Sequence, residues 1–242
     1  MLRDKKQFDL KEFEDNLNFI TERIANKPKY SKYRLDVLLM KYTRGDSFEN
    51  LTQHFERLIE FLLAYKHEKL EREIEIFKFT YLERDSYILL AFAIALPISE
   101  KTWHTLTHEI LIPFGRDYIT DRIIATRNSE RKVADFETWD KTAPAHQKYF
   151  KLLGEALEAP PEDQPELVYK QLKKWRHKNW RGSVTHGSDP DFTPNPCYYG
   201  QFSYEVAAVV MAFNIDDTLF QEDIYYPKEL VDYYRERTQT KI

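Results

Sequence analysis

Residues 201 to 213 read QFSYEVAAVVMAF. Phe202, Val206, Val209 and Phe213 recur at intervals of 4, 3 and 4, which stacks them on one face of an α-helix but splits them between the two faces of a strand. The stretch predicts a helix whose apolar stripe packs into a core. On its N-terminal side, Gly182 to Pro196 is loop-like, with Gly, Ser, Asp, Thr and three prolines. On its C-terminal side, Pro227 stands at the N1 position of a last helix that carries Leu230, Val231 and Tyr234 together.

The same period recurs along most of the chain. Phe8, Phe13, Leu17, Ile20 and Ile24 keep it until Pro28, and Tyr33, Val37, Leu38 and Met40 keep it up to Gly45. Ser47 reads as the N-cap of a helix bearing Leu51, Phe55, Leu58, Phe61, Leu62 and Tyr65. Tyr87 to Leu96 is the central apolar helix, stopped by Pro97, and Ser99 caps the next, which carries Trp103, Leu106, Ile110 and Leu111 toward Pro113. Further helices are expected at about Asp117–Thr126, Ala145–Leu157 and Pro165–Lys178. Ile74 to Tyr81 alternates and fits a short strand as well as a helix. Arg127 to Thr142 is polar and shows no period, which makes it the boundary candidate. The expectation is an all-α protein of about ten helices in two consecutive bundles, residues 1–127 and 128–242, with room for one short strand pair.

Composition narrows the function classes. The chain has 242 residues, 42% hydrophobic and 15% aromatic, with only 6 Gly, enough to bury a real core and poor in hairpin turns. Cys197 is the single cysteine, which excludes an internal disulfide framework and a cysteine-based zinc site. No apolar leader follows Met1, and the longest apolar run, Tyr87 to Ile98, is 12 residues, too short to cross ~30 Å of hydrocarbon. A soluble, cytoplasmic protein is expected.

Charge is distributed unevenly. The net charge of −4 is not that of a protein built to cling to nucleic acid. Residues 1–134 hold 22 acids and 23 bases, whereas residues 135–242 hold 18 acids and 13 bases. From Gly182 to Pro227 there is no Lys or Arg, yet there are seven acids: Asp189, Asp191, Glu205, Asp216, Asp217, Glu222 and Asp223. Asp216 or Asp217 can cap the turn at Thr218–Gln221, and Glu205, on a helix whose other face is core, is the acid most suited to an internal place. Capping accounts for one or two of them. The remaining acids point to a basic protein partner or a metal ion.

Other constellations are weaker. His104 and His108 share a helix face at i, i+4, but no third ligand accompanies them and the Glu of a zinc-protease motif is missing. His177 and His186 have no nucleophile in a recognisable elbow nearby. Lys170 to Arg181, KQLKKWRHKNWR, interleaves six cations with Trp175 and Trp180 and could grip a nucleic-acid strand. It reads more simply as a helix with Val168, Leu172 and Trp175 inward and its cations solvated near the C-terminal end. Tyr199, Trp175, Trp180 and Phe202 are expected to be mainly structural.

Tyr198 to Val231 reads YYGQFSYEVAAVVMAFNIDDTLFQEDIYYPKELV. In Tyr199-Gly200, Glu205 with Ala207-Ala208, Ile215-Asp216-Asp217, Tyr225-Tyr226-Pro227 and Leu230-Val231 it resembles the C-terminal domain of the PoNi family, immunity proteins paired with PoNe-type DNase toxins. Gln201-Phe202 stand where that family often has Tyr-Trp. The resemblance implies an all-helical, non-enzymatic inhibitor kept in the toxin producer's cytoplasm, without cofactor, metal or catalytic residues. Its partner would be a DNase delivered by a secretion system in bacterial competition. Because a DNase grips a polyanion in a cationic groove, an acidic surface can occupy that groove, and Asp189, Asp191, Asp216, Asp217, Glu222 and Asp223 are the expected contact residues. The competing readings are a nucleic-acid-binding regulator using residues 170–181 and a metal-dependent hydrolase built on Asp216, Asp217 and the histidines. Adjacent aspartates point to opposite sides of the chain and do not by themselves form a catalytic site.

Overall fold

A computed structural model describes residues 31–71, 80–111, 115–175 and 202–239, with a few positions between 14 and 22; for 31–33, 68–71, 80–84, 145 and 175 it describes the backbone alone. Ten α-helices are present among these residues and no strand. They are α1 (Ser31–Arg44), α2 (Phe48–Glu71), α3 (Thr80–Ala95), α4 (Glu100–His104), α5 (Tyr118–Ala125), α6 (Trp139–Thr142), α7 (Pro144–Glu158), α8 (Gln164–Trp175), α9 (Tyr204–Phe213) and α10 (Lys228–Gln239). The fold is all-α, as the periodicity predicts. Of the ambiguous stretch Ile74–Tyr81, residues 74–79 lie outside the described residues, and Thr80-Tyr81 open α3.

Residue chemistry sets the boundaries. Gly45 takes φ 93 after α1, and the Asp46 N–H reaches back to the Lys41 carbonyl, a C-terminal closure that needs a left-handed residue. The Ser47 and Ser99 hydroxyls accept from the backbone N–H of Asn50 and Thr102, as N-caps do. Asp117 caps α5 through Thr120, and Pro227 sits one residue before α10. The helix begun at Ser99 widens to π geometry over Thr105–Ile110, where the Thr107 hydroxyl donates to the Trp103 carbonyl.

The chain divides into two units. In one, α1, α2, α4 and the π segment pack together, with Leu38, Met40, Phe55 and Leu106 buried. In the other lie α3 and α5 to α10. Residue 127, at the expected domain boundary, lies just past α5 in this second unit.

The second unit is built on α9 packed against α3. Every residue from Tyr204 to Met211 is buried, as is every residue from Ser86 to Leu96. Here the structure exceeds the sequence expectation: α9 buries its whole circumference because α3, α5, α8 and α10 surround it. Arg237 of α10 donates to the Ile94 and Ala95 carbonyls, supplying a cation at the C-terminal end of α3.

Arg127–Thr142 also differs from its polar appearance. Arg131, Ala134 and Trp139 within it are buried. Gly154 of α7 is the reason Trp139 fits: a Cβ there would come within 2.7 Å of the Trp139 ring and 2.8 Å of Phe136.

Candidate functional site

The acidic loop between α9 and α10 starts where Asn214 turns left-handed, with φ 50. Asparagine tolerates that conformation, and the turn redirects the chain so that Ile215 enters the core. From here the side chains separate by side. Asp217, Phe220 and Tyr226 are buried, whereas Asp216, Thr218, Leu219, Glu222 and Ile224 are exposed.

The buried set holds the loop in shape. Asp217 accepts from both Arg235 Nη1 (2.8 Å to Oδ1) and the Tyr226 hydroxyl (2.7 Å), and Arg235 also donates to the Ile215 carbonyl. Burial, with the Asp217 charge beside it, pushes the Tyr226 hydroxyl far above its ordinary value. Phe220 stacks on Tyr169 of α8 and meets Tyr226 edge-on at 5.2 Å between centroids. The Ser203 N–H donates to the Tyr225 carbonyl, which ties the loop's end to the start of α9.

On the outer side, the Asp216 carboxylate accepts the Thr218 N–H, and these bonds hold its pKa below the ordinary carboxylate value. Glu222 is exposed and pairs with Lys228, and Asp223, half-buried, accepts the Tyr225 N–H. Asp189 and Asp191 lie outside the described residues. Thus, of the four described candidates, Asp216 and Glu222 face solvent, Asp223 is partly covered, and Asp217 points inward. Glu205 is internal, as the sequence suggests. Its carboxyl has one oxygen without a hydrogen-bond partner, and burial pushes its pKa up to about 7.

A second group was not visible in the sequence. The buried Asp117 carboxylate receives Tyr87 Oη (2.9 Å) from α3, Trp139 Nε1 (2.8 Å) from α6 and the Thr120 N–H, with His146 Nδ1 of α7 at 3.1 Å. Burial would raise its pKa, but the His146 charge and the bonds from His146 and Thr120 outweigh it and hold the pKa below the ordinary carboxylate value. Nearby, Asp121 forms a fully buried ion pair with Arg131 and accepts the Gly115 and Ala134 N–H groups. A histidine beside an aspartate suggests proton chemistry, but Tyr87, Asp117 and His146 are all buried beyond the reach of a substrate. The arrangement joins α3, α5, α6 and α7. Cap signals mark Asp117, yet Tyr87 and His146 lie 30 and 29 residues from it on either side, beyond any local pattern.

The remaining candidates separate clearly. Lys170 pairs with Glu166, Lys173 lies 4.2 Å from the Tyr169 ring, and Val168 and Leu172 are buried, the amphipathic helix expected of this face. Residues 176–181, with His177, Trp180 and also His186, are outside the described residues, as are Tyr199 and the Trp175 side chain; Phe202 is buried. His104 and His108 are exposed and stacked at 4.1 Å, 6° apart. Among the described residues no three His, Cys, Asp or Glu side chains converge as metal ligands, and no helix is long and apolar enough to cross a membrane.

Residues 116–230 match the family model described as PoNe immunity proteins (PoNi), C-terminal. The matched span takes in Asp117, Trp139 and His146 of the buried centre, though not Tyr87, together with α9 and the acidic loop. The fold resembles the crystal structure of protein PA2201 from Pseudomonas aeruginosa, with a TM-score of 0.68 at 16% identity over 98% of this chain and 92% of that one. No curated protein matches the sequence.

Proposed function

We propose, for a chain whose residues 116–230 belong to the C-terminal family of PoNe immunity proteins, that it binds a cognate antibacterial DNase toxin and covers the toxin's cationic DNA-binding groove with an acidic surface. The observation that carries this reading is the position of the acidic loop inside the matched span, held rigid from within while its outer side presents Asp216, Glu222 and Asp223. Asp189 and Asp191, on the preceding Lys- and Arg-free stretch of the sequence, are proposed as further contact residues, and Asp217 serves the loop from inside by fixing it.

Long-range attraction between this surface and a basic groove speeds encounter, and the bound chain keeps DNA out by bulk and by charge. Inhibition of this kind asks no bond chemistry of the inhibitor, so the proposed role is non-enzymatic. A toxin producer needs it in the cytoplasm, where its own DNA is at risk.

The test reverses Asp189, Asp191, Glu222 and Asp223 to Lys, confirms folding by circular dichroism, and measures toxin binding and protection of cells. Loss of protection, with association that no longer accelerates as salt is lowered, supports the reading. Undiminished protection with unchanged salt dependence would place the toxin elsewhere on the chain.

A further inference from the structure

Among the described residues two large apolar side chains are left exposed, Leu219 at 54% and Ile224 at 61%, and both belong to the acidic loop. We propose that Leu219 and Ile224 are the apolar anchors of this surface, entering a hydrophobic recess bordered by cations on the toxin. The inference rests on the reading above and concerns what determines affinity there.

Three features support it. First, the loop can bury apolar groups and does so with Ile215, Phe220 and Tyr226; Leu219 and Ile224 are the ones it turns outward. Second, the loop is already ordered. Arg235 and Tyr226 on Asp217, the turns from Asp217 to Phe220 and Gln221, and the Tyr225 carbonyl on Ser203 fix its backbone. Anchors on a preordered loop lose little conformational freedom when they bind. Third, the anchors sit in an acidic stretch of the chain, in which Asp216, Glu222 and Glu229 are exposed, Asp223 is half-buried and Lys228 is engaged by Glu222. An apolar centre within a polar rim is the usual anatomy of a protein interface.

The acidity also selects the occupant. DNA or an anionic membrane would meet like charge, and a second copy of this chain would bring the same acids face to face. A basic protein surface is complementary. Among the residues of the family resemblance, Glu205, Ala207, Ala208, Ile215, Asp217, Tyr226, Leu230 and Val231 are buried, Tyr225 is half-buried and Asp216 is exposed, and Leu219 and Ile224 lie outside that set. The buried residues build the platform, and the outward pair supplies its apolar contact.

The test uses the full chain and a catalytically silenced PoNe-type DNase domain as the probe, with association and dissociation rates measured at low and physiological salt. Leu219→Ser with Ile224→Ser is expected to speed dissociation by about tenfold or more, leaving the association rate, its salt slope and the melting temperature near the parent's. Glu222→Lys with Glu229→Lys should mainly slow association and flatten its salt slope. Leu219→Met with Ile224→Val, which keep apolar bulk, should dissociate close to the parent rate. Unchanged dissociation in the Ser variant, with slowed association in the Lys variant, overturns the anchors and leaves the acidic surface standing. Unchanged rates in both overturn the surface as well. A parent dimer that the Ser variant dissolves would show a self-contact and sink the proposal.

Discussion

Two loops of the second unit use the same device to different ends. Residues 126–138, after α5, are tied by Asp121 and Arg131, whose side chains are both fully buried. Residues 214–227, after α9, are tied by Asp217 and Arg235, with Arg235 28% exposed. In the first loop the apolar content turns inward, ending at the buried Trp139. In the second, part turns inward and Leu219 and Ile224 turn out. An internal carboxylate–guanidinium pair thus marks a fixed loop, and what the loop presents outward marks whether it has a further role.

Breaking the two ties should separate the loops by size of effect. Asp121→Ala strands the Arg131 guanidinium in the interior and should cost about 3–5 kcal/mol, read by denaturant unfolding. Asp217→Ala leaves Arg235 partly solvated and should cost about 1–3 kcal/mol, while weakening toxin binding without touching the toxin. Equal losses from the two variants would erase the distinction. Gly154→Ala sharpens the first loop further: its methyl group would collide with Trp139 and Phe136 and should cost about 1–3 kcal/mol.

A smaller effect concerns pH. The Glu205 carboxyl is raised in the folded state from 4.5 to about 7, so below pH 4.5 folded and unfolded chains both hold its proton. As pH rises toward 7 the unfolded chain ionises first, and stability falls across that window. Glu205→Gln should flatten this decline; an unchanged pH profile would contradict the assignment. Asp117 has the opposite sign: its pKa is lowered, so its contribution is present above the ordinary carboxylate pKa and is lost as pH falls below it. The smallest expected change is the stability of Leu219→Ser with Ile224→Ser, within about 0.5 kcal/mol of the parent, because neither side chain is part of the core.

Much of the fold was legible in the sequence, because helix period, prolines and caps act locally. Ser47, Ser99 and Asp117 open helices where their hydroxyl or carboxylate finds the N–H three residues on. What escaped depends on distant partners. Arg127–Thr142 looks like a linker until Arg131 meets Asp121 and the Trp139 indole meets Asp117, 22 residues away. The π segment at Thr105–Ile110 leaves the apolar spacing almost unchanged and sends no local signal. At the site, adjacency alone places Asp216 and Asp217 on opposite sides; which of them turns inward is decided by Arg235, 18 residues later. Full burial of α9 was available in principle, since Ala207, Ala208 and Val210 lie off the stripe and are apolar too.

In the proposed function, this chain disarms a basic nuclease through the loop at 214–227. The most direct measurement is DNA cleavage by a PoNe-type DNase domain, titrated with the parent chain and with a variant carrying Asp216→Lys, Glu222→Lys and Asp223→Lys. The account predicts that cleavage stops near one equivalent of parent, and that the variant, folded and melting close to the parent, needs a large excess or fails. Cleavage that continues under excess parent, or equal inhibition by parent and variant, would contradict it.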